Sequence, residues 1–184
     1  HIAERIREMA ASATLAMSAK SAELKASGVD VINLSVGEPD FKTPWAIRKE
    51  AIKTLEKGKT AYTANSGLIG LRRALADYIQ KKNGLKYDPD HEITVTVGGS
   101  EAIDCAFRVL CNPGDEILIP EPSFVCYAPL VKMAGGVPVI IETKLENNFK
   151  LTGEEIREKL TPKTKALVFP YPNNPTGAVM RRGD

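Results

Sequence analysis

The spacing of hydrophobic residues differs between the two halves of the chain. In the first half, apolar residues recur every three or four positions, which is typical of helices that bury one face. One or two helices are predicted at residues 5–27 and single helices at 43–58 and 71–83, each segment ending at or beside a glycine. Thr43 and Pro44 fit the N-cap and the first position of the second helix. A short apolar run at 31–34 predicts a strand.

From residue 93 onward, continuous aliphatic runs alternate with amphipathic segments. Strands are predicted at 93–97, 116–120, 137–142 and 165–169, and helices at 101–111, 127–134 and 152–160. Thr152 and Glu155 form a capping-box pattern at the start of the last helix. Apolar strands separated by helices indicate crossover connections. The predicted fold class is therefore α/β, with a mostly parallel sheet covered by helices on both faces.

Composition narrows the classes of function. The 25 basic and 23 acidic residues are well mixed and give a net charge of +2, which favours neither a nucleic-acid partner nor a membrane surface. No apolar run approaches the ~20 residues that a membrane span needs. Cys105, Cys111 and Cys126 form no CxxC pair, and only two histidines are present. We therefore expect buried thiols in a cytoplasmic protein, with no disulfide and no metal site.

Three loops directly follow predicted strands, at 98–101, 121–124 and 170–177. In open α/β sheets, ligands bind beyond the carboxyl ends of the strands. In the first loop, Gly98 and Gly99 let the backbone approach a ligand, and the free N–H groups of the following helix favour an anion such as phosphate. A glycine turn that serves chain geometry alone is the alternative interpretation.

The second and third loops carry an aromatic ring and two carboxamides. Phe124 could stack on a planar ring, with a core phenylalanine as the alternative. Asn173 and Asn174 lie in a stretch with three prolines in six residues, from 170 to 175, which is more rigid than a simple turn requires. A rigid asparagine can hold a ring hydroxyl or a substrate carboxylate in fixed geometry.

Five motifs occur in an order and spacing that resemble the amino-terminal half of class I aminotransferases of fold type I. These are pyridoxal-phosphate enzymes, and the resemblance is to the prokaryotic aspartate aminotransferases among them. It runs from about Arg5 to the last residue. The motifs lie at 35–41, 62–67 with 71–72, 96–102, 120–124 and 171–177.

The resemblance implies pyridoxal 5'-phosphate as cofactor and a role for each matching residue. Gly99, Ser100 and Glu101 would hold the cofactor phosphate through backbone N–H groups and the Ser100 hydroxyl. Phe124 would stack on the pyridine ring and border the substrate. Asn174 would bind the ring oxygen and lie near the substrate carboxylate.

The resemblance also implies a homodimer with active sites shared between subunits. Tyr62 would reach the phosphate of the neighbouring subunit, and Gly37 would line the substrate pocket. Residues 1–42 would form an amino-terminal arm and part of a small domain, and residues 43–184 the first part of the large cofactor-binding domain.

The family's Schiff-base lysine lies well beyond its Asn-Pro-Thr-Gly loop, which implies that this residue lies beyond Asp184. The resemblance therefore implies no catalytic residue in this segment. None of the lysines near the strands, Lys144, Lys163 and Lys165, stands in a matching context, and we expect them to be solvated charges.

The expected function is the transfer of an amino group between an L-amino acid, aspartate in the first instance, and a 2-oxo acid, 2-oxoglutarate. Another pyridoxal-phosphate enzyme of fold type I, such as a carbon–sulfur lyase or an aminocyclopropane-carboxylate synthase, is one alternative. A non-catalytic fragment is the other.

Overall fold

The computed structural model describes residues 1–7, 9, 13–34, 37 and 39–184. The chain divides into two compact units. The helical unit is Ala11–Val95, and the sheet unit is His1–Ala10 together with Thr96–Asp184. Ser35, Val36 and Glu38, which belong to the first of the five motifs, lie outside the described residues.

Helices account for most of the regular structure. The helices are α1 Glu4–Arg7, α2 Ala13–Ala26, α3 Trp45–Glu56, α4 Ile69–Asn83, α5 Gly99–Leu110, α6 Tyr127–Met133 and α7 Gly153–Lys159. The strands are β1 Glu116–Glu121, β2 Val137–Glu142 and β3 Thr164–Leu167, and a 3-10 turn covers Leu145–Asn147.

The helices of the helical unit agree with the periodic pattern, with one correction at a terminus. The segment predicted at 5–27 contains α2 and also α1, which belongs to the sheet unit. Gly84 is the C-cap of α4, and its φ of 74° suits a glycine. The prediction that Thr43 caps α3 is wrong, because Pro44 occupies the N-cap position with a non-helical ψ of 140°. The Pro44 carbonyl accepts the first helical hydrogen bonds, so α3 starts one residue later than expected.

A buried arginine of α4 binds backbone carbonyls on both sides of that helix. The Arg72 guanidinium donates to the carbonyl oxygens of Gly67 and Asp90, both at 3.1 Å, and also to that of Pro89. A Cβ atom on Gly67, whose φ is 93°, would lie 2.8 Å from the Cβ of Val95. Only glycine fits this position, because both the backbone conformation and the close contact exclude a side chain.

Two of the predicted strands are absent from the described structure. Residues 31–34 and 93–97 lie outside any helix or strand. The side chains of Ile32 and Leu34 are 86% and 91% exposed. A strand needs a neighbour to satisfy its N–H and C=O groups, and in the described part of the chain neither run is paired in a sheet.

The sheet unit contains a three-stranded parallel sheet in the order β2-β1-β3. β1 pairs with β2 along its whole length, from Glu116 opposite Val137 to Glu121 opposite Glu142. Its pairing with β3 contains one register shift, next to Glu116. β1 is therefore the central strand, and residues 117–120 are buried.

Helices cover both faces of this sheet. Ile117 and Ile119 of β1 pack against Phe107 of α5 and Val131 of α6. On the other face, Leu118 joins a second core cluster, against which Ile156 of α7 packs. Each fully buried aliphatic side chain contributes about 1.5–3 kcal/mol. This arrangement agrees with the predicted α/β class and its parallel sheet.

The capping box at α7 is confirmed. The Thr152 hydroxyl accepts a hydrogen bond from the Glu155 backbone N–H at 3.2 Å, and the Glu155 carboxylate accepts one from the Thr152 N–H at 2.9 Å. These reciprocal bonds satisfy N–H groups that a helix start leaves open.

The prediction of three buried cysteines is wrong. All three thiols are free, but Cys105 is exposed, and Cys111 and Cys126 are only partly buried. Cys105 precedes the buried Phe107 by two residues, which places it about 200° away around α5 and on the opposite face.

The described residues carry neither a membrane-spanning helix nor a cluster of metal ligands. None of their helices is both long and apolar enough to cross a membrane. No group of three or more His, Cys, Asp or Glu side chains among them is arranged to hold a metal ion.

Candidate active site

The first turn of α5 has backbone N–H groups that the helix does not use, beside open space. Gly98 is the N-cap with a φ of 82°, and Ala102 makes the first helical hydrogen bond back to it. The N–H groups of Gly99, Ser100 and Glu101 precede that bond, so the helix itself does not use them. A Cβ on Gly98 or Gly99 would meet no atom within 4 Å. The space before the turn can therefore admit an anion, which the helix dipole favours.

The Glu101 side chain stabilises this turn locally. Its carboxylate accepts a hydrogen bond from the backbone N–H of Val97. The Thr96 hydroxyl donates to the Gly98 carbonyl at 3.0 Å. Since the carboxylate is engaged by the preceding backbone, the part of Glu101 left for a ligand is its backbone N–H.

The loop from β1 to α6 brings an aromatic ring to the same end of the sheet. Phe124 is half-buried and packs edge-on against Tyr127, with ring centroids 5.9 Å apart at 84°. It lines a cavity of about 440 Å³, together with Ile119 and Lys132. A ring at a cavity wall is available for stacking, unlike one enclosed in the core.

A cysteine in this loop lies beside the α5 turn. Burial raises the pKa of the Cys126 thiol, and the neighbouring Ser100 side chain opposes that effect only in part. The thiol is therefore protonated at neutral pH. The contact brings together the predicted phosphate-binding serine and the loop that carries Phe124.

The 170–177 loop is organised around a buried carboxamide. Asn173 is 7% exposed, and its Nδ2 donates to the Pro122 carbonyl at 3.2 Å. Its Oδ1 accepts hydrogen bonds from the Thr176 N–H at 3.2 Å and the Thr176 hydroxyl at 2.9 Å. The Asn173 backbone N–H donates to the Ala178 carbonyl, and its carbonyl accepts from Gly177, both at 2.9 Å.

Asn174, the next residue, is exposed. The two adjacent asparagines therefore differ, with one side chain inside the loop and the other at its surface. Tyr171 anchors the start of the loop, because its hydroxyl donates to the Phe149 carbonyl at 2.8 Å and accepts from the Leu151 N–H at 3.0 Å. The surface carboxamide is thus presented by a loop that is held at both ends.

The carboxyl end of β1 is tied to the end of β2. The N–H and the hydroxyl of Thr143 both donate to the Glu121 carbonyl at 2.8 Å. The sequence-based reasoning missed Thr143 and the anchoring role of Asn173. The Asn-x-x-Thr spacing of residues 173–176 is a local signal for the bonds to Thr176, but the bond to Pro122 spans 51 residues and has no local signal.

The remaining candidate residues belong to the helical unit. Tyr62 is fully exposed, and Gly37 is exposed with no atom within 4 Å of a Cβ placed on it. Their proposed contacts with phosphate and substrate stay predictions. In the sheet unit, Lys144, Lys163 and Lys165 are exposed, as expected of solvated charges.

Comparison with known proteins identifies close relatives. Residues 29–184 match the family described as "Aminotransferase class I and II". The chain is 45% identical over 181 residues to an aspartate aminotransferase of Bacillus sp. strain YM-2, covering 98% of this chain and 46% of that protein. It is 44% identical to an aspartate/prephenate aminotransferase of Thermus thermophilus, covering 97% of this chain and 46% of that protein.

The fold is shared with a solved structure. An aspartate aminotransferase from Thermus thermophilus with maleate aligns over 100% of this chain and 48% of its own, with a TM-score of 0.95 and 43% identity. The chain thus spans about half the length of the relatives it matches. The prediction of an α/β fold with a mostly parallel sheet is confirmed.

Proposed function

Because this chain belongs to the class I and II aminotransferase family, we propose that it is the amino-terminal half of an enzyme that transfers an amino group between an L-amino acid and a 2-oxo acid. Aspartate and 2-oxoglutarate are the proposed pair, since relatives at 44–45% identity are named aspartate aminotransferases. The observation that carries the proposal is the match to the Thermus thermophilus enzyme over the whole chain, with a TM-score of 0.95.

Pyridoxal phosphate, the cofactor of aspartate aminotransferases, supplies an electron sink for bond breaking at the α-carbon of the amino acid. The residues of the sheet unit fit this group. They offer unused N–H groups beside open space at α5, an aromatic ring at a cavity wall and an exposed carboxamide on an anchored loop. Our proposal assigns binding and orienting roles, but no proton transfer, to residues of this chain.

The α5 turn would bind the phosphate. The backbone N–H groups of Gly99, Ser100 and Glu101 would donate to its oxygens, and the Ser100 hydroxyl would add a further donor. The helix dipole adds a favourable interaction with the negative charge. Since these groups belong to a helix packed on the sheet, they need little reorganisation to bind.

Phe124 and Asn174 would set the plane and the ionisation of the pyridine ring. The Phe124 ring would stack on one face of the pyridine. The Asn174 carboxamide would donate to the ring oxygen, which favours its ionised form and lowers its pKa. Both residues would also border the bound substrate.

The whole protein is proposed to be a cytoplasmic homodimer. Tyr62 would bind the phosphate in the partner's site, and Gly37 would line the substrate pocket. The full exposure of Tyr62 in the helical unit supports a role outside its own fold. The division into an arm and small-domain segment at 1–42 and a cofactor domain from 43 onward is part of the same proposal.

The decisive experiment measures cofactor retention and amino transfer in the full-length enzyme. Ser100→Asp should weaken cofactor binding at least ~10-fold, or ~1.4 kcal/mol, because a carboxylate repels the phosphate and replaces a donor. Ser100→Thr, which keeps the hydroxyl, is the matched control. Retention is measured from the visible absorbance after dialysis, and transfer from aspartate is measured with 2-oxoglutarate and with prephenate as acceptors.

Two outcomes would contradict different parts of the proposal. A wild-type enzyme that neither retains the cofactor nor transfers the amino group of aspartate would refute the function. An active enzyme in which Ser100→Asp retains the cofactor as well as the wild type would remove the α5 turn from the phosphate site.

A further inference from the structure

The buried carboxamide of Asn173 joins two loops of the candidate site. Its Nδ2 donates to the Pro122 carbonyl in the loop that carries Phe124, while its backbone continues directly into Asn174. We propose that Asn173 is a positioning residue, which keeps the stacking ring and the surface carboxamide at a fixed separation. The inference rests on the proposed function, since it assumes that Phe124 and Asn174 both bind the cofactor ring.

Side-chain hydrogen bonds help to hold the carboxyl end of β1 and the residue that follows it. Pro120 and Pro122 have no backbone N–H, so this stretch offers few donors of its own. Side-chain donors bind two of its carbonyls: Thr143 Oγ1 donates to Glu121, which also accepts the Thr143 N–H, and Asn173 Nδ2 donates to Pro122. Of these two side chains, only Asn173 comes from the loop that presents Asn174.

The polar atoms of the Asn173 carboxamide are engaged on both sides. Nδ2 binds across to Pro122, and Oδ1 binds the N–H and hydroxyl of Thr176 within its own loop. If the bonds of either Nδ2 or Oδ1 were lost, a polar group would be left unsatisfied in a buried position. Movement of the two loops away from each other would relieve this energetic cost. The carboxamide thus links the internal shape of one loop to the position of the other.

Its location gives this link a large effect on the site. Phe124 follows Pro122 by two residues, and Asn174 is the immediate neighbour of Asn173. Adjacent Cα atoms are about 3.8 Å apart, so a shift of Asn173 is passed on to Asn174 almost undiminished. A misplacement of about 1 Å in a positioning group can reduce the rate of a reaction by about 100-fold.

Two uncharged variants of the full-length holoenzyme separate the bond between the loops from the bonds within one loop. In Asn173→Ser, the serine side chain is too short to reach the Pro122 carbonyl, but its hydroxyl stays near Thr176. Thr176→Val is the matched control, because it removes only bonds within the loop, to Asn173 Oδ1 and from the Ala178 N–H, and leaves the bond to Pro122 in place. Asn173→Leu, which keeps the side-chain volume, repeats the measurement if Asn173→Ser does not fold.

Three readouts are expected to change in Asn173→Ser. The kcat/KM for aspartate should fall roughly 10- to 100-fold, mainly through kcat, because the ring is held in the wrong orientation. The visible circular dichroism of the bound cofactor should lose about half of its amplitude, and the midpoint of its absorbance titration should rise, since Asn174 no longer stabilises the ionised ring oxygen. Thr176→Val should stay within about twofold of the wild type.

Asn174→Ala distinguishes failure of this inference from failure of the proposed function. A titration that shifts in Asn174→Ala but stays at the wild-type midpoint in Asn173→Ser, with unchanged dichroism, would overturn the positioning role alone. Wild-type behaviour in both variants would remove the loop from the ring site. A wild-type enzyme without bound cofactor would refute the proposed function itself.

Discussion

The sheet unit and the helical unit bury their apolar residues to very different extents. In the sheet unit, β1 is enclosed between α5 and α6 on one face and α7 on the other. In the helical unit, α3 has no buried residue, although its apolar positions follow the helical period. An amphipathic pattern therefore predicts which face of a helix is apolar, while only the tertiary structure determines whether that face is covered.

A matched pair of truncations tests this difference most strongly. Ile117 in β1 is 0% exposed and Ile47 in α3 is 61% exposed. Ile117→Ala should lower the free energy of unfolding by about 2–5 kcal/mol, because it leaves a cavity in the core. Ile47→Ala should change it by no more than about 0.5 kcal/mol.

Urea unfolding of the 184-residue chain, followed by far-ultraviolet circular dichroism, measures both values. Equal losses for the two variants would show that the α3 face is covered in solution, for example by a second copy of the chain. That result would contradict the conclusion that the two units bury their apolar residues to different extents.

Two glycines show where the helical unit is tightly packed. Gly67→Ala should destabilise the chain by about 1–3 kcal/mol more than Gly58→Ala, because its new Cβ would overlap Val95. Both glycines have positive φ, at 93° and 64°, but Gly58 has no atom within 4 Å of a Cβ. Both variants strain the backbone, and this contribution cancels when the free energy of unfolding of one variant is subtracted from that of the other. A Gly58→Ala variant as unstable as Gly67→Ala would argue against the contact with Val95.

Two threonines that precede helices provide the next comparison. Thr152→Ala should cost about 0.5–2 kcal/mol, since it removes the N-cap of α7. Thr43→Ala should cost no more than about 0.5 kcal/mol, because Pro44 is the N-cap of α3. The measurement is again urea unfolding, with each threonine serving as the control for the other. A larger loss of stability in Thr43→Ala than in Thr152→Ala would indicate that Thr43 is the N-cap of α3, as the sequence predicted.

The smallest effect concerns two surface ion pairs, one in each unit. In the helical unit, the hydrogen bond to the Asp88 carboxylate raises the pKa of His91. The stabilisation from this histidine is present below its ordinary pKa and is lost as the pH rises through the raised value. In the sheet unit, the hydrogen bond from Lys150 lowers the pKa of Asp184. The stabilisation from this aspartate is therefore present above its ordinary pKa and is lost as the pH falls through the lowered value.

Nuclear magnetic resonance titration of His91 checks this assignment. Asp88→Asn should return the pKa of His91 towards its ordinary value of about 6.5. Asp184→Asn, which alters the other ion pair, should leave the His91 titration unchanged. A titration that does not respond to Asp88→Asn would exclude this carboxylate as the cause of the shift.

The sequence predicted the elements whose signals are local. Val137–Glu142 has the predicted bounds because an apolar run lies between a glycine pair and polar residues, and α7 begins at its predicted capping box. The run at 31–34 has similar apolar character but is no strand here, because pairing depends on a neighbour that its own sequence does not specify.

The same limit applies to the candidate site. The positions of its loops follow from strand ends, and glycine and proline identify them in the sequence. The bond from Asn173 to Pro122 follows from the order of the strands, which brings together residues 51 positions apart. The Asn-x-x-Thr spacing identifies Asn173 as the residue bound to Thr176, but no short-range pattern indicates its bond to Pro122 or its burial beside the exposed Asn174.

The central place of β1 also has a consequence for the order of folding. Its partners in β2 are 21 residues away along the chain, whereas those in β3 are 49 residues away beyond the register shift. Each doubling of a closed loop costs about 0.6 kcal/mol more in chain entropy. We therefore expect β1, α6 and β2 to assemble before β3 docks. Because the hydrogen bond between Asn173 and Pro122 joins the residues that follow β3 and β1, it needs β3 in place beside β1. The candidate site would therefore be among the last parts of the sheet unit to form.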